Sequence, residues 1–284
     1  MASMRDIKRR KTSIQSTEQI TKAMKLVSTV KLQKSKSRAE ESKPYFDLMY
    51  QTISSVLSKS QNVDHRYLKS GESTSKAVIA ITANRGLAGG YNNNIVRLIT
   101  ESGFLTRENT KVFAIGRKGR DSLVKKGYSI AKDYSEVINE PLYRDASDLT
   151  EELLDEFEKG QIGEIYLAYT SFKNTVTHIP KLIKLLPVEM EEGKQQEGAH
   201  ALMTYEPGEE EVLDSIIPKY MSSLIYGALL EAVASENGAR MTAMDSATSN
   251  AEEMIDTLTL QYNRARQGAI TQELTEIIAG ANAV

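Results

Sequence analysis

The chain has 284 residues, 26% of them charged, and a formal net charge of −2, which excludes a polyanion binder held by bulk electrostatics. It has no cysteine, so disulfide and thiolate chemistry are closed to it, and no apolar run of about eighteen residues that would span a membrane. The charge is unevenly placed: residues 1–43 carry twelve Lys or Arg against four acids, and residues 209–284 carry twelve acids against four bases. Complementary ends of this kind suit an antiparallel helix pair. The basic N-terminus lacks the apolar core and cleavage site of a secretory signal and is read as mature protein.

In chain order, residues 3–58 are predicted helical, with Ser3 as cap, Asp6 at the positive end of the dipole, and Ile7, Ile14, Ile20, Met24, Val27 and Val30 recurring at helical spacings. Pro44 is expected to kink or briefly break this helix. Residues 59–75 are polar and aperiodic and read as a linker.

The texture then changes. Residues 77–81 (AVIAI) form a first predicted strand, followed by a helix over 91–101, a strand over 111–116 and a helix over 117–126. Ser147 is the expected cap of a helix reaching Lys159, and residues 164–170 (EIYLAYT) make a third strand; 171–190 have room for more. This alternation signals parallel βαβ units with a covered sheet. Residues 191–208 read as a loop.

The acidic triplet Glu209-Glu210-Glu211 opens the last helix, and Pro218 falls in its early turns. Lys219 to Val284 contain no proline, and a helix of that span reaches roughly 100 Å, too long to bury itself against its own domain. It needs another long helix, a partner, or both. Heptads counted from Ile225 (Ala232, Ala239, Ser246, Glu253, Leu260, Gln267, Leu274) and from Leu229 (Glu236, Ala243, Asn250, Thr257, Arg264, Thr271, Ile278) predict a small, polar seam with little burial free energy. The fold class expected is α/β: a long antiparallel coiled coil of the terminal helices (1–58 and 209–284) with a central Rossmann-like domain (76–200) carrying a mostly parallel sheet.

Few residues carry recognisable chemistry. The loop Arg85 to Asn94 (RGLAGGYNNN) follows a strand and precedes a helix, where backbone N–H groups can cradle phosphate, but its G-x-x-G-G spacing matches neither the dinucleotide fingerprint nor the P-loop. A structural turn or partner contact is favoured over a nucleotide site. Gly116 to Arg120 has the same two readings. His65, His178 and His200 show no metal-ligand spacing, and nothing pairs them with a nucleophile, so no catalytic residue, metal or cofactor is expected. Lys8-Arg9-Arg10-Lys11 lacks interleaved aromatics, and an acidic protein partner or a solvated face suits it better than nucleic acid.

The C-terminal stretch holds the strongest pattern: Ile270, Thr271, Glu273, Glu276, Gly280 and Ala281, preceded by Tyr262 to Gln267. Together with Gln19 to Lys25, Asn84 to Asn94 and Ser235 to Met244, it resembles, end to end and in order, the gamma subunit of F-type ATP synthase. The resemblance implies a central rotor shaft that couples proton-driven rotation of the c ring to the catalytic cycle of the alpha3-beta3 ring. It also implies alpha, beta, epsilon and c-ring partners, no active site and no nucleic acid, and attachment to a membrane only through the complex. A bacterial source is expected, at the cytoplasmic face of the plasma membrane. The resemblance further assigns Arg266 and Gln267 to an acidic catch loop of beta and Met24 and Arg240 to a region governing coupling. Lys8 and Arg9 become beta contacts, Tyr205 and Glu206 the foot on the c ring and epsilon, and Ile277 and Ile278 an uncharged bearing tip. Ala83-Asn84 and Ala88 depart from the Ser-Asp and cysteine that many members carry there. Two readings stand beside it: an α/β enzyme with helical arms, resting on the Arg85–Asn94 loop, and a coiled-coil adaptor with a basic arm.

Overall fold

Apolar strands buried on both faces and two very long helical periods set the architecture. A computed structural model describes residues 4–59, 65–71, 73–188 and 208–281. The elements run α1 (Met4–Lys59), β1 (Lys76–Ile81), α2 (Tyr91–Thr100), β2 (Thr110–Ile115), α3 (Arg117–Lys125), β3 (Ser129–Asp133), α4 (Tyr143–Glu158), β4 (Glu164–Phe172), β5 (His178–Leu186) and α5 (Glu209–Ala281). They divide into two units, residues 4–29 with 240–281 and residues 30–239, and α1 and α5 contribute to both.

In the larger unit the strand order is β3-β2-β1-β4-β5. The first four strands are parallel and β5 closes the edge antiparallel to β4. Because successive side chains point to opposite faces, each strand feeds two cores. Ile79, Ile81, Phe113, Ile115, Ile165 and Leu167 pack with Leu149 and Leu153 of α4, Ile53 of α1, and Leu213, Ile217, Met221, Ile225 and Leu229 of α5. Val78, Ala80, Val112, Ala114 and Ala168 pack with Ile95, Val96 and Ile99 of α2 and Leu123 of α3. Burial on both faces is why β1 reads as an unbroken apolar run. α1 also meets α5 in this unit, where the Phe46 ring lies edge-on to Tyr226, centroids 6.1 Å apart.

Three local expectations are corrected and one is narrowed. Pro44 lies inside α1 without breaking it. It and Glu40, whose carbonyl loses its partner, are exposed, so water can serve that carbonyl. α4 begins at Tyr143, not after Ser147: the Asp145 carboxylate accepts from the Leu142 N–H at 2.9 Å and caps the helix from its first turn. β3, a mostly exposed edge, has no apolar pattern to announce it and is held by its ladder to β2. The linker contains a 3-10 turn, Arg66–Leu68, with Tyr67 buried. The Tyr67 hydroxyl donates to Glu158 at 2.5 Å, and Arg66 pairs with Asp214 at 2.8 Å.

In the smaller unit the two helices run antiparallel: Thr21 meets Thr248, Lys25 meets Asp245 at 2.5 Å, and Lys22 meets Glu252 at 2.9 Å. The side of α1 turned inward repeats in threes and fours through Ile7, Lys11, Ile14, Glu18, Thr21, Lys25 and Ser28. On α5 it runs through Met241, Met244, Thr248, Ala251, Ile255, Leu258, Tyr262, Ala265 and Ala269. Both heptad frames counted from the sequence miss this seam. Their members Ser246, Glu253, Leu260, Gln267 and Leu274, and Asn250, Thr257, Arg264, Thr271 and Ile278, are exposed. The frames start at Ile225 and Leu229, which are buried in the larger unit against the sheet, and that packing has a different phase. The true seam is apolar at eight of these nine positions on α5, but three of the eight are alanine, and it faces Lys11, Glu18, Thr21 and Ser28 and stays thin.

A thin seam predicts a direct remedy. The Thr248 hydroxyl lies 2.7 Å from that of Thr21 and 2.8 Å from the Met244 carbonyl, and both threonines are buried. Replacing both hydroxyls by methyls keeps the shape and leaves no donor stranded. Thr21→Val with Thr248→Val is expected to stabilise the helix pair by about 1 kcal/mol, read as a higher midpoint in thermal unfolding followed by far-ultraviolet circular dichroism. A lower midpoint would show that the hydroxyl pair is a net stabiliser.

Candidate functional site

In doubly wound sheets, ligands bind outside the carboxyl ends of the parallel strands where the strand order reverses. Here that place lies between β1 and β4, under the Arg85–Asn94 loop, and the chain's own α5 fills it. The Tyr91 hydroxyl donates to the Ala232 carbonyl at 3.1 Å, and the Ser235 hydroxyl to the Thr170 carbonyl at 3.1 Å. The Phe172 N–H donates to the Glu231 carboxylate at 3.2 Å. Ala83, Ala88 and Tyr91 form a buried cluster against Ala239. The small side chains of Ala228, Ala232 and Ser235 let α5 come this close.

The backbone donors that would hold a phosphate are engaged too. At the start of α3, Arg117 N–H donates to the Asn84 side-chain oxygen at 3.0 Å, Lys118 N–H to the Ala83 carbonyl at 3.0 Å, and Gly119 N–H to the Thr82 hydroxyl at 3.0 Å. Gly116, with φ 105°, brings β2 so near that a Cβ there would stand 2.1 Å from the Thr82 carbonyl oxygen. The Asn84 amide donates onward to the Ser135 carbonyl at 2.7 Å, and the Asn92 side chain accepts from the Ala83 N–H at 2.8 Å. Asn84 and Asn92 therefore tie turns together, which accounts for these two asparagines without a ligand.

An open hollow of about 450 Å³ beside β3 is lined by Arg117, Arg120, Asp133, Tyr134, Ser135, Glu136 and Val137. Its arginines are matched by acids, Arg117 with Glu136 and Arg120 with Asp133, each at 2.5 Å. Burial pushes the Asp133 carboxyl up, but hydrogen bonds from Ser135 and Arg120 hold it below its ordinary 3.8. No group of three metal-ligating side chains occurs among the described residues. His65 is buried and occupied: its Nδ1 accepts from the Tyr67 N–H and its Nε2 lies 3.2 Å from Asp214. His178 is different. Its Nε2 is buried with no hydrogen-bond partner, and burial lowers its pKa from the ordinary 6.5. His200 lies outside the described residues.

The described residues assigned by resemblance fall on the long helices. Arg266 and Gln267 are exposed on α5. Ile277 and Ile278 are 67% and 60% exposed, and every described residue beyond Ala269 is exposed. Met24 and Arg240 are half-buried in the smaller unit. Lys8 and Arg9 are exposed, with Arg9 3.5 Å from Asp6. Tyr205 and Glu206 lie outside the described residues. Sequence reading missed the apolar surface that the seam leaves outside. Ile20 and Val27, read as periodic core positions, are 57% and 58% exposed, as Leu260 also is. The seven-residue spacing of Ile20 and Val27 was the available signal, pointing to a second face of α1.

Three kinds of comparison bear on this arrangement. A family model described as ATP synthase matches residues 3–284. The chain is 64% identical over 291 residues to the ATP synthase gamma chain of Lachnoclostridium phytofermentans, covering 100% of both chains. It is 42% identical to the sodium-ion-specific ATP synthase gamma chain of Acetobacterium woodii, covering 99% of this chain and 98% of that one. Among solved structures it is similar to a chain of the Euglena gracilis mitochondrial ATP synthase OSCP/F1/c-ring assembly, with a TM-score of 0.68 at 16% identity over 99% of this chain and 94% of that one. At that identity the likeness is one of fold.

The stranded His178 nitrogen predicts a pH dependence. The unfolded chain takes up a proton near pH 6.5, and the folded chain does so only at lower pH. Below about pH 6.5 the unfolded state therefore binds more protons, and the stability tied to neutral His178 is complete above that pH and lost as pH falls. Glu164 does not interfere in this range. Burial pushes its carboxyl up, but hydrogen bonds from Lys76, Lys184 and Tyr166 hold it below its ordinary 4.5, so its contribution is lost only at lower pH. Between about pH 7.5 and pH 5.5 the melting temperature of the parent chain is expected to fall more than that of His178→Leu. Equal falls would show that His178 does not titrate differently in the two states.

Proposed function

This chain belongs to the ATP synthase gamma-chain family, and from that we infer that it is the central shaft of an F-type ATP synthase, turning inside the alpha3-beta3 ring. A gamma chain is a non-catalytic subunit, since catalysis resides in the beta subunits. The filled crevice agrees with this, because the place where an α/β enzyme of this topology would hold its ligand is taken by α5. The partners are the alpha and beta subunits, epsilon and the c ring, and the complex is membrane-bound. We place it at the cytoplasmic face of a bacterial plasma membrane. Residues 76–200 serve as the foot, and the stretches 1–58 and 209–284 as the two strands of the shaft.

The observation that carries the reading is the outer surface of the helix pair. Beyond Ala269 no described residue of α5 is buried, although Ile270, Leu274, Ile277 and Ile278 are apolar, and Ile20, Val27 and Leu260 also face outward. A helical end of about a dozen residues with no packing of its own is marginal in water. A sleeve of partner protein would supply what the thin seam does not.

Within that sleeve, Arg266 and Gln267 act as the contact to an acidic loop of beta. Such contacts, worth about 0.2–1 kcal/mol each near a surface, are weak enough to be made and broken every turn. Lys8 and Arg9 face acidic loops of the same kind. Met24 and Arg240 set coupling from within the helix pair. Ile277 and Ile278, without charge, let the tip turn with no strongly preferred angle. Tyr205 and Glu206 touch the c ring and epsilon.

The test is Arg266→Ala with Gln267→Ala in the assembled complex. ATP hydrolysis, or ion pumping per ATP, is expected to fall about two- to tenfold, as the loss of two such contacts implies. The circular dichroism and melting temperature of the isolated chain should stay as in the parent. Unchanged hydrolysis and pumping would remove the beta-contact role from these two residues.

A further inference from the structure

A shaft that carries torque must be unable to spin in its own socket. A helix packed only by apolar side chains resists turning about its axis weakly, because that surface is non-directional. The passage of α5 over the carboxyl ends of the strands is built differently. Glu231, Ser235 and Gly238 are spaced four and three residues apart and so share one face of the helix. All three meet the β4–β5 hairpin: Glu231 accepts from the Phe172 N–H, Ser235 donates to the Thr170 carbonyl, and a Cβ on Gly238 would stand 2.7 Å from His178 Nε2. Ala232 and Ala239, seven residues apart on a neighbouring face, meet the other wall, where Tyr91 donates to the Ala232 carbonyl and the Ala83–Ala88–Tyr91 cluster packs on Ala239. Directional contacts thus grip α5 from two sides within nine residues, all inside the larger unit.

Gly238 sharpens the point. Glycine in a helix interior is unfavourable relative to alanine, and here an alanine Cβ would stand 2.7 Å from His178 Nε2, which would have to move. A contact below 3.0 Å forces something to move, and what stands there is the buried Nε2 of a half-buried histidine ring on β5.

We propose that residues 231–239 of α5, gripped by Tyr91, Thr170, Phe172 and His178, are the torque joint of the rotor, fixing the rotational setting of α5 on the α/β body. The joint rests on the shaft reading given above. Its residues are positioning residues: they touch no nucleotide, and they act by making α5 turn with the body. If the joint slips, the catalytic ring still turns α5 and still hydrolyses ATP, while the body and the ion-carrying ring lag behind.

The experiment uses the complete synthase assembled with this chain in lipid vesicles, measuring ATP hydrolysis and ATP-driven ion uptake together. Tyr91→Phe with Ser235→Ala removes two of the directional contacts with little change of volume. Hydrolysis is expected to stay within about twofold of the parent, and ions moved per ATP to fall about threefold or more. An unchanged ratio would overturn the joint. Gly238→Ala should lower the ratio in the same way, and adding His178→Ala should restore it by making room. A ratio that Gly238→Ala leaves at the parent value, or that His178→Ala fails to restore, also counts against the joint. Should the complex with the parent chain neither hydrolyse ATP nor move ions, the shaft reading itself fails, and that outcome is distinct from a lowered ratio in the variants.

Discussion

The approach of α5 to the carboxyl ends of the parallel strands is the constraint on which the rest depends. Parallel strands with helical crossovers leave a crevice where the order reverses, and an open crevice would expose the ends of β1 and β4 to water. In this chain a run of small residues, Ala228, Ala232, Ser235, Gly238 and Ala239, lets a helix backbone enter it. The same contact closes the site to a ligand and ties α5 to the sheet. The residues after β1, Thr82 and Asn84, then take up the N–H groups at the start of α3, and Asn92 takes up that of Ala83. A family of folds known for binding nucleotides is here turned into a mount for a helix.

The helix pair follows the opposite logic. Large side chains that an isolated coiled coil would place in its seam are partly turned outward, and Thr21, Ser28, Thr248, Ala251 and Ala265 face inward. The lost burial is modest per residue but accumulates along the seam. Salt bridges such as Lys22–Glu252 and Lys25–Asp245 fix the antiparallel pairing more than they stabilise it, since exposed pairs contribute little. A shaft that must engage several partners in turn gains from weak internal packing and an apolar outer surface, because neither surface then dominates.

Much of this was legible because the signals were long or repeated. The unbroken apolar runs of β1, β2 and β4 declared buried parallel strands, and proline-free stretches declared the long helices. What escaped reading was local and depended on partners far along the chain. β3 has no apolar pattern and exists by pairing with β2. Tyr67 looked like part of a polar linker until Glu158 and Val188 came beside it. Ser147 was a sound cap in isolation, yet Asp145 was placed to cap first. The seam phase failed for a related reason: the part of α5 that binds the sheet and the part that pairs with α1 in the smaller unit use different faces, and a single heptad count from Ile225 cannot follow both.

The sequence by itself determined the long helices, the buried strands β1, β2 and β4 with their βαβ order, the charge complementarity of the two ends and the family, since these rest on composition, period and ordered motifs that survive without coordinates. Only the tertiary structure decided which face of each helix is inside, that the crevice is closed by α5, and that His178 and Gly238 stand against each other. Those facts depend on the rotation of a helix about its axis, a quantity set by contacts between residues far apart in the chain, such as His178 and Gly238, to which a periodic pattern of 3.6 residues is blind.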